Sequence, residues 1–171
     1  MREVKVVPYH KEWATIFQME SEKIAMIFGN GLITIHHIGS TAIPNIQAKP
    51  IIDVLAEVKN IETVDCLNLR MKQIGYEAKG EFGIKNRRFF IKGGDQRTHH
   101  VHVFEKGDKE IARHLAFRDY MLAHPKEAQQ YSELKQLLAK QHPFDIQKYI
   151  EGKHDYIQTI DEKAKKWRAL L

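Results

Sequence analysis

Apolar positions recur along this chain with two different periods, and each change of period marks a change of structure. From His10 to Phe28 the large apolar residues Trp13, Ile16, Phe17, Ile24, Ile27 and Phe28 fall at helical spacing, and Gly29-Asn30-Gly31 stops the pattern. Ile33 to Ile38 and Ile51 to Glu57 are rich in β-branched and aliphatic residues and predict two strands. A helix is predicted over about 61–73, with Val64, Leu67 and Met71 as its apolar stripe and Gly75 past its end. Tyr76 to Gly80, Arg88 to Lys92 and His99 to Phe104 read as strands, the second closed by Gly93-Gly94-Asp95. After Asp108 the helical period returns. Asp108 caps a helix carrying Ile111, Leu115, Phe117, Met121 and Leu122, and Pro125 opens a second, lined by Ala128, Tyr131, Leu134 and Leu138. Beyond Pro143, the residues Ile157, Ile160, Ala164, Trp167 and Leu171 form the stripe of a last helix. The order predicts one α+β domain over 1–171, with an α/β core to about residue 107 and a helical tail from about 108 packed on it.

Composition narrows the function classes. The chain has 171 residues, 43% hydrophobic and 29% charged, which reads as a soluble globular domain with a real core. No apolar run approaches the ~20 residues that span a bilayer, and the N-terminus lacks a signal-peptide core, so no membrane partner is expected. The single cysteine, Cys66, excludes an internal disulfide framework and suits a reducing, cytoplasmic setting. It falls within a helical pattern, with no basic neighbour, and is expected to be buried and inert. A net charge of +5 favours anionic partners. Nucleotides are favoured over nucleic acid, because the basic residues are scattered and Lys163, Lys165, Lys166 and Arg168 read as a solvated helix face.

The candidate chemistry centres on Asp53, a lone charge inside the apolar run Ile51-Ile52-Asp53-Val54-Leu55. Burying an unpaired carboxylate is costly, so this one needs a purpose. Upstream, the first strand ends at Gly39-Ser40-Thr41. A glycine there lets the backbone turn sharply and approach a ligand, and the following N–H groups with the Ser40 and Thr41 hydroxyls can face phosphate oxygens. A carboxylate on the next strand would hold Mg²⁺ (or Mn²⁺) against those same oxygens. Lys49 stands where the loop re-enters the sheet and can neutralise phosphate, as can Arg88 and its neighbours Arg87 and Lys92.

Gly39-Ser40, twelve intervening residues and Asp53 resemble the signature of the nucleotidyltransferase (DNA polymerase beta-like) superfamily. The fuller wording, His36 to Pro44 together with Lys49 to Leu55, resembles the GrpB-like family, a branch of that superfamily. The likeness continues in His100-Val101-His102-Val103, Phe117-Arg118-Asp119-Tyr120 and Tyr131 to Lys135. It implies a nucleotidyltransferase-like mixed sheet and transfer of a nucleoside monophosphate from a nucleoside triphosphate. One position departs from the superfamily: the second carboxylate, two residues after the first, is Leu55 here, and Glu57 lies roughly 13 Å from Asp53 along an extended strand. The superfamily places its third carboxylate on a late strand, where this chain offers His102 as a base or neutral ligand.

Two other readings compete. The absence of a second carboxylate fits a catalytically degenerate module that binds nucleotide or phosphate without transfer. His100 and His102, two imidazoles on one strand face, can also be read as a zinc hydrolase site. Lys135 follows Tyr131 by one helical turn and Lys153 follows Tyr149 likewise, which reads as two packing pairs in preference to the alternative, that a helical tail closed over the cleft lets either lysine reach a nucleotide.

Overall fold

The computed structural model describes residues 2–171. The first helical run becomes α1, Glu12–Phe28, and Gly29 at φ 60° takes the chain out of it. Five strands follow: β1 Leu32–Ile38, β2 Ile52–Val58, β3 Tyr76–Ala78, β4 Arg88–Lys92 and β5 His99–Glu105. They form one mixed sheet in the order β1-β2-β5-β4-β3, with β2 and β5 parallel and every other pair antiparallel.

Strand alternation gives this sheet two unlike faces. On one, Ile52, Val54, Ala56 and Val58 of β2 join Phe90, Val101 and Val103 beneath Trp13, Ile24, Ile27 and Phe28 of α1. Buried in this layer is Glu20, which accepts from the Tyr76 hydroxyl at 2.8 Å and Lys92 Nζ at 2.9 Å. The other face carries Asp53 and Leu55 beside His100 and His102. Leu55 packs there with Ile38, Phe104 and Ile111.

The last third is helical: α3 Lys109–Ala123, α4 Pro125–Gln141 and α5 Ile146–Ala169. Asp108 caps α3 by accepting from Glu110 N at 2.9 Å, and Pro125 opens α4 as predicted. Ala116, Tyr120, Met121, Ala128, Tyr131, Ile160 and Ala164 from these helices share a core with Ile43 and Ile46 of the loop after β1. The loop thus joins sheet to helices. No helix among the described residues is long and apolar enough to cross a membrane.

Two expectations are corrected. The helix predicted over 61–73 splits into a 3₁₀ segment, Ile61–Leu67, and a short α2, Asn68–Gln73. Asn60 caps the tight segment by accepting from Glu62 N at 3.0 Å, and the β-branched Ile61, Thr63 and Val64 crowd an α-turn there. Cys66 is exposed rather than buried. At three residues per turn, Ile61, Val64 and Leu67 share the inward face, which leaves Cys66 outside.

Candidate functional site

The sheet places Asp53 directly opposite His100, and Leu55 opposite His102, on the parallel neighbour β5. Both imidazoles turn to the same carboxylate oxygen. His102 Nε2 lies 3.2 Å from Asp53 Oδ1 and His100 Nδ1 lies 3.4 Å from it. Arg87, 6% exposed, supplies what sequence reasoning missed: its Nη1 donates to His102 Nδ1 at 3.3 Å while Nε and Nη2 hold the carbonyls of Glu81 and Phe82. A guanidinium can only donate, so His102 Nδ1 is an acceptor and its Nε2–H donates to Asp53. Burial also pushes the His102 imidazole below its ordinary range, with Asp53 only partly opposing, and the ring is neutral at pH 7.

Burial pushes the Asp53 carboxyl up, but hydrogen bonding from His100 and His102 outweighs it and holds it below the usual carboxylate range. Asp53 is therefore ionised, with Oδ1 occupied by the two histidines. Its Oδ2 faces Gly39. A Cβ added at Gly39, which sits at φ 73°, would come within 2.8 Å of that oxygen, so only glycine lets the turn close on the carboxylate. Ser40–Ala42 then makes a single 3₁₀ turn. The Thr41 hydroxyl donates to Ile51 O at 3.2 Å and pairs with His37 Nε2 at 2.9 Å, so it fastens the loop to β2 instead of reaching outward. His37 stacks on Phe17 with ring centroids 4.8 Å apart, and burial pushes it down to about 4.

Gly39, Ser40, Thr41, Lys49, Asp53 and His100 line one side of a cavity of about 170 Å³. Tyr131 and Lys135 of α4 with Tyr149 and Lys153 of α5 line the other. The tyrosine–lysine pairs do pack as expected, with Lys135 Nζ 4.5 Å from the Tyr131 ring centre and Lys153 Nζ 4.6 Å from that of Tyr149. They also bring two ammonium groups into the site, which helical spacing alone did not reveal. Lys49 Nζ stands 5.3 Å over the same Tyr149 ring.

Arg88, expected at the phosphate, is not brought there. Its side chain pairs with Asp65, Nε to Oδ1 at 2.8 Å and Nη2 to Oδ2 at 3.3 Å. Strand alternation explains this, because neighbouring Arg87 and Arg88 must point to opposite faces and Arg87 has the site's face. The position of the second carboxylate, Leu55, is fully buried in its apolar cluster. The donor set also disfavours the zinc reading. Both histidines serve Asp53 Oδ1, His102 has no free ring nitrogen, and among the described residues no group of three His, Cys, Asp or Glu is arranged to hold a metal.

The family model described as GrpB protein matches residues 3–163. The chain is 52% identical over 167 residues to UPF0157 protein YqkA of Bacillus subtilis (strain 168), covering 98% of this chain and 49% of that protein. It thus spans about half the length of that relative. It is 34% identical over 163 residues to Glutamate-rich protein GrpB of Alkalihalophilus pseudofirmus, covering 92% of this chain and 94% of that one. The fold is similar to the crystal structure of conserved protein GrpB from Enterococcus faecalis, with a TM-score of 0.92 and 43% identity over 95% of this chain and 99% of that chain.

Proposed function

The chain belongs to the GrpB family, and we propose that its pocket is a nucleotidyltransferase-like site that moves a nucleoside monophosphate from a nucleoside triphosphate to a hydroxyl or amine acceptor. One observation carries this reading: the Gly39 turn closes on the ionised Asp53 inside a cavity that also holds Lys49. A backbone turn, a strand carboxylate and a lysine on one cavity are what a phosphoryl centre needs.

In this reading the backbone after Gly39 and the Ser40 hydroxyl hold phosphate oxygens. Lys49 stabilises the charge that grows on them as the bond to the leaving pyrophosphate breaks. Asp53 Oδ2, together with substrate phosphate oxygens, would hold one Mg²⁺ or Mn²⁺, which supplies charge screening at the reacting phosphate. His102 has both ring nitrogens engaged, so it positions Asp53 and does not take a proton. The role of base passes to His100, which lines the cavity; its Nε2 is buried without a hydrogen-bond partner, so the ring must turn or shift to meet an acceptor.

A second reading has its own support. Leu55 sits fully buried in an apolar cluster where a second metal-binding carboxylate would stand, which favours a module that holds phosphate without transfer. Labelled triphosphates incubated with Mg²⁺ or Mn²⁺, in the presence of candidate acceptors, separate the two. Transfer or pyrophosphate release that falls at least about 100-fold in Asp53→Asn supports the transferase. Release that persists in Asp53→Asn refutes the metal role. Triphosphate binding that is indifferent to Mg²⁺, with no release, establishes the binding module.

A further inference from the structure

Three ammonium groups converge on the cavity against a single carboxylate, Asp53. None of Lys49, Lys135 and Lys153 lies within 4.0 Å of a carboxylate oxygen among the described residues, since none takes part in an ion pair. Lys135 is only 1% exposed, and its Nζ donates to a backbone carbonyl, that of Gln47. The ring faces of Tyr131 and Tyr149 hold the three lysines in place without neutralising them. A buried cation with no counter-ion is costly, and three around one cavity cost more through mutual repulsion. An anion held among them would offset that cost.

The cavity also limits which part of a ligand enters. At about 170 Å³ it falls well below the ~300 Å³ at which pockets for drug-sized molecules begin. A whole nucleotide does not fit. A short run of linked phosphates does, and it carries the multiple negative charge that three ammonium groups call for.

We infer that this pocket seats a linear chain of two or three phosphates among Lys49, Lys135 and Lys153, and that the rest of the ligand, nucleobase included, stays outside it. This rests on reading the pocket as a phosphate site. It goes further in naming what is recognised: the polyphosphate chain, whether borne by a nucleoside or free, with little preference among bases. It also gives the C-terminal helices a function, because α4 and α5 supply two of the three lysines and both aromatic walls.

Calorimetry on the full chain without divalent metal tests this with inorganic triphosphate, ATP, GTP, CTP, UTP and AMP. Inorganic triphosphate and the four nucleoside triphosphates should bind with affinities within about tenfold of one another, and AMP at least tenfold more weakly than ATP. Lys135→Met and Lys153→Met should each weaken triphosphate binding by about tenfold or more. The unfolding midpoint of ligand-free Lys135→Met should meanwhile hold or rise, because an unpaired buried charge is gone. If Lys135→Met fails to fold, Lys153→Met on the half-buried neighbour decides. Affinities that spread more than tenfold with the base, AMP binding as tightly as ATP, or failure of inorganic triphosphate to displace ATP would overturn the inference while leaving a nucleotide site in place. Triphosphate binding without any transfer activity would sustain it and refute the transferase. No binding of any polyphosphate would refute both.

Discussion

Lys135 carries the sharpest consequence at the scale of single residues. Burial, with Lys153 and Lys49 nearby, pushes its amine down to about 7, and burial beside Lys49 pushes Lys153 down to about 8. An unfolded lysine keeps its proton to about 10.4. Between pH 7 and about 10 the unfolded chain therefore binds protons that the folded chain has given up, and folded stability rises with pH across that window. Binding of an anion runs the other way, since it needs the lysines charged. We predict that thermal unfolding of the ligand-free protein shifts to higher temperature from pH 7 to 9.5, while triphosphate affinity drops over the same range. In Lys135→Met the alkaline gain should shrink. An affinity that stays flat or grows above pH 8 would remove the lysines from the site. His102 teaches a related lesson: a donated hydrogen bond from Arg87 settles its protonation more firmly than its place opposite the missing carboxylate suggested.

At the scale of elements, α4 and α5 carry two of the lysines and meet where Gly152 faces Leu138. Gly152 lies inside α5, where glycine is a poor choice by propensity, costing about 1 kcal/mol against alanine. Its reason is packing, because an added Cβ would run into the end of the Leu138 side chain on α4. Gly152→Ala should therefore change stability by about 0–2 kcal/mol in the destabilising direction, the overpacking of about 1–3 kcal/mol offsetting or exceeding the propensity gain of about 1 kcal/mol. Leu138→Ala alone should cost about 2–4 kcal/mol as a cavity, but in the double variant the new methyl partly fills the space. Denaturant unfolding of the four species should show a coupling of more than 0.5 kcal/mol, well above additivity error. Additive effects would mean that the helices already have slack at this crossing.

The pocket spans both halves of the molecule. Its floor comes from β2, β5 and the loop after β1, and its roof from α4 and α5; the sheet has its own core cluster, and Ile43 and Ile46 of the loop pack with the helices. An anion bridging Ser40 on one side and Lys135 and Lys153 on the other would tie them together. We predict that inorganic triphosphate slows amide exchange in α4, α5 and the 39–49 loop by at least fivefold while α2 and β3, none of whose residues line the cavity, change little. Uniform protection throughout, or protection confined to the sheet, would contradict a ligand held from both sides.

What the sequence determined by itself is what depends on neighbours along the chain. Helical and strand periods placed α1, β1, β2, β4, β5, α3 and α4 within a residue or two, because burying one face of an element imposes its own period. A single charge in an apolar strand singled out Asp53, and Gly39 marked the turn that closes on it. The tertiary structure decided whatever depends on which face meets what. Arg87 and Arg88 are equivalent in sequence, and only the packing of the sheet gave one to His102 and the other to Asp65. Cys66 is exposed because a turn of three residues, not 3.6, set the inward face. Lys135 and Lys153 had partners one turn away on their own helices, so their spacing was already accounted for. Their place in the pocket follows from α4 and α5 docking on the loop at 43–49, contacts more than eighty residues apart that no local period encodes.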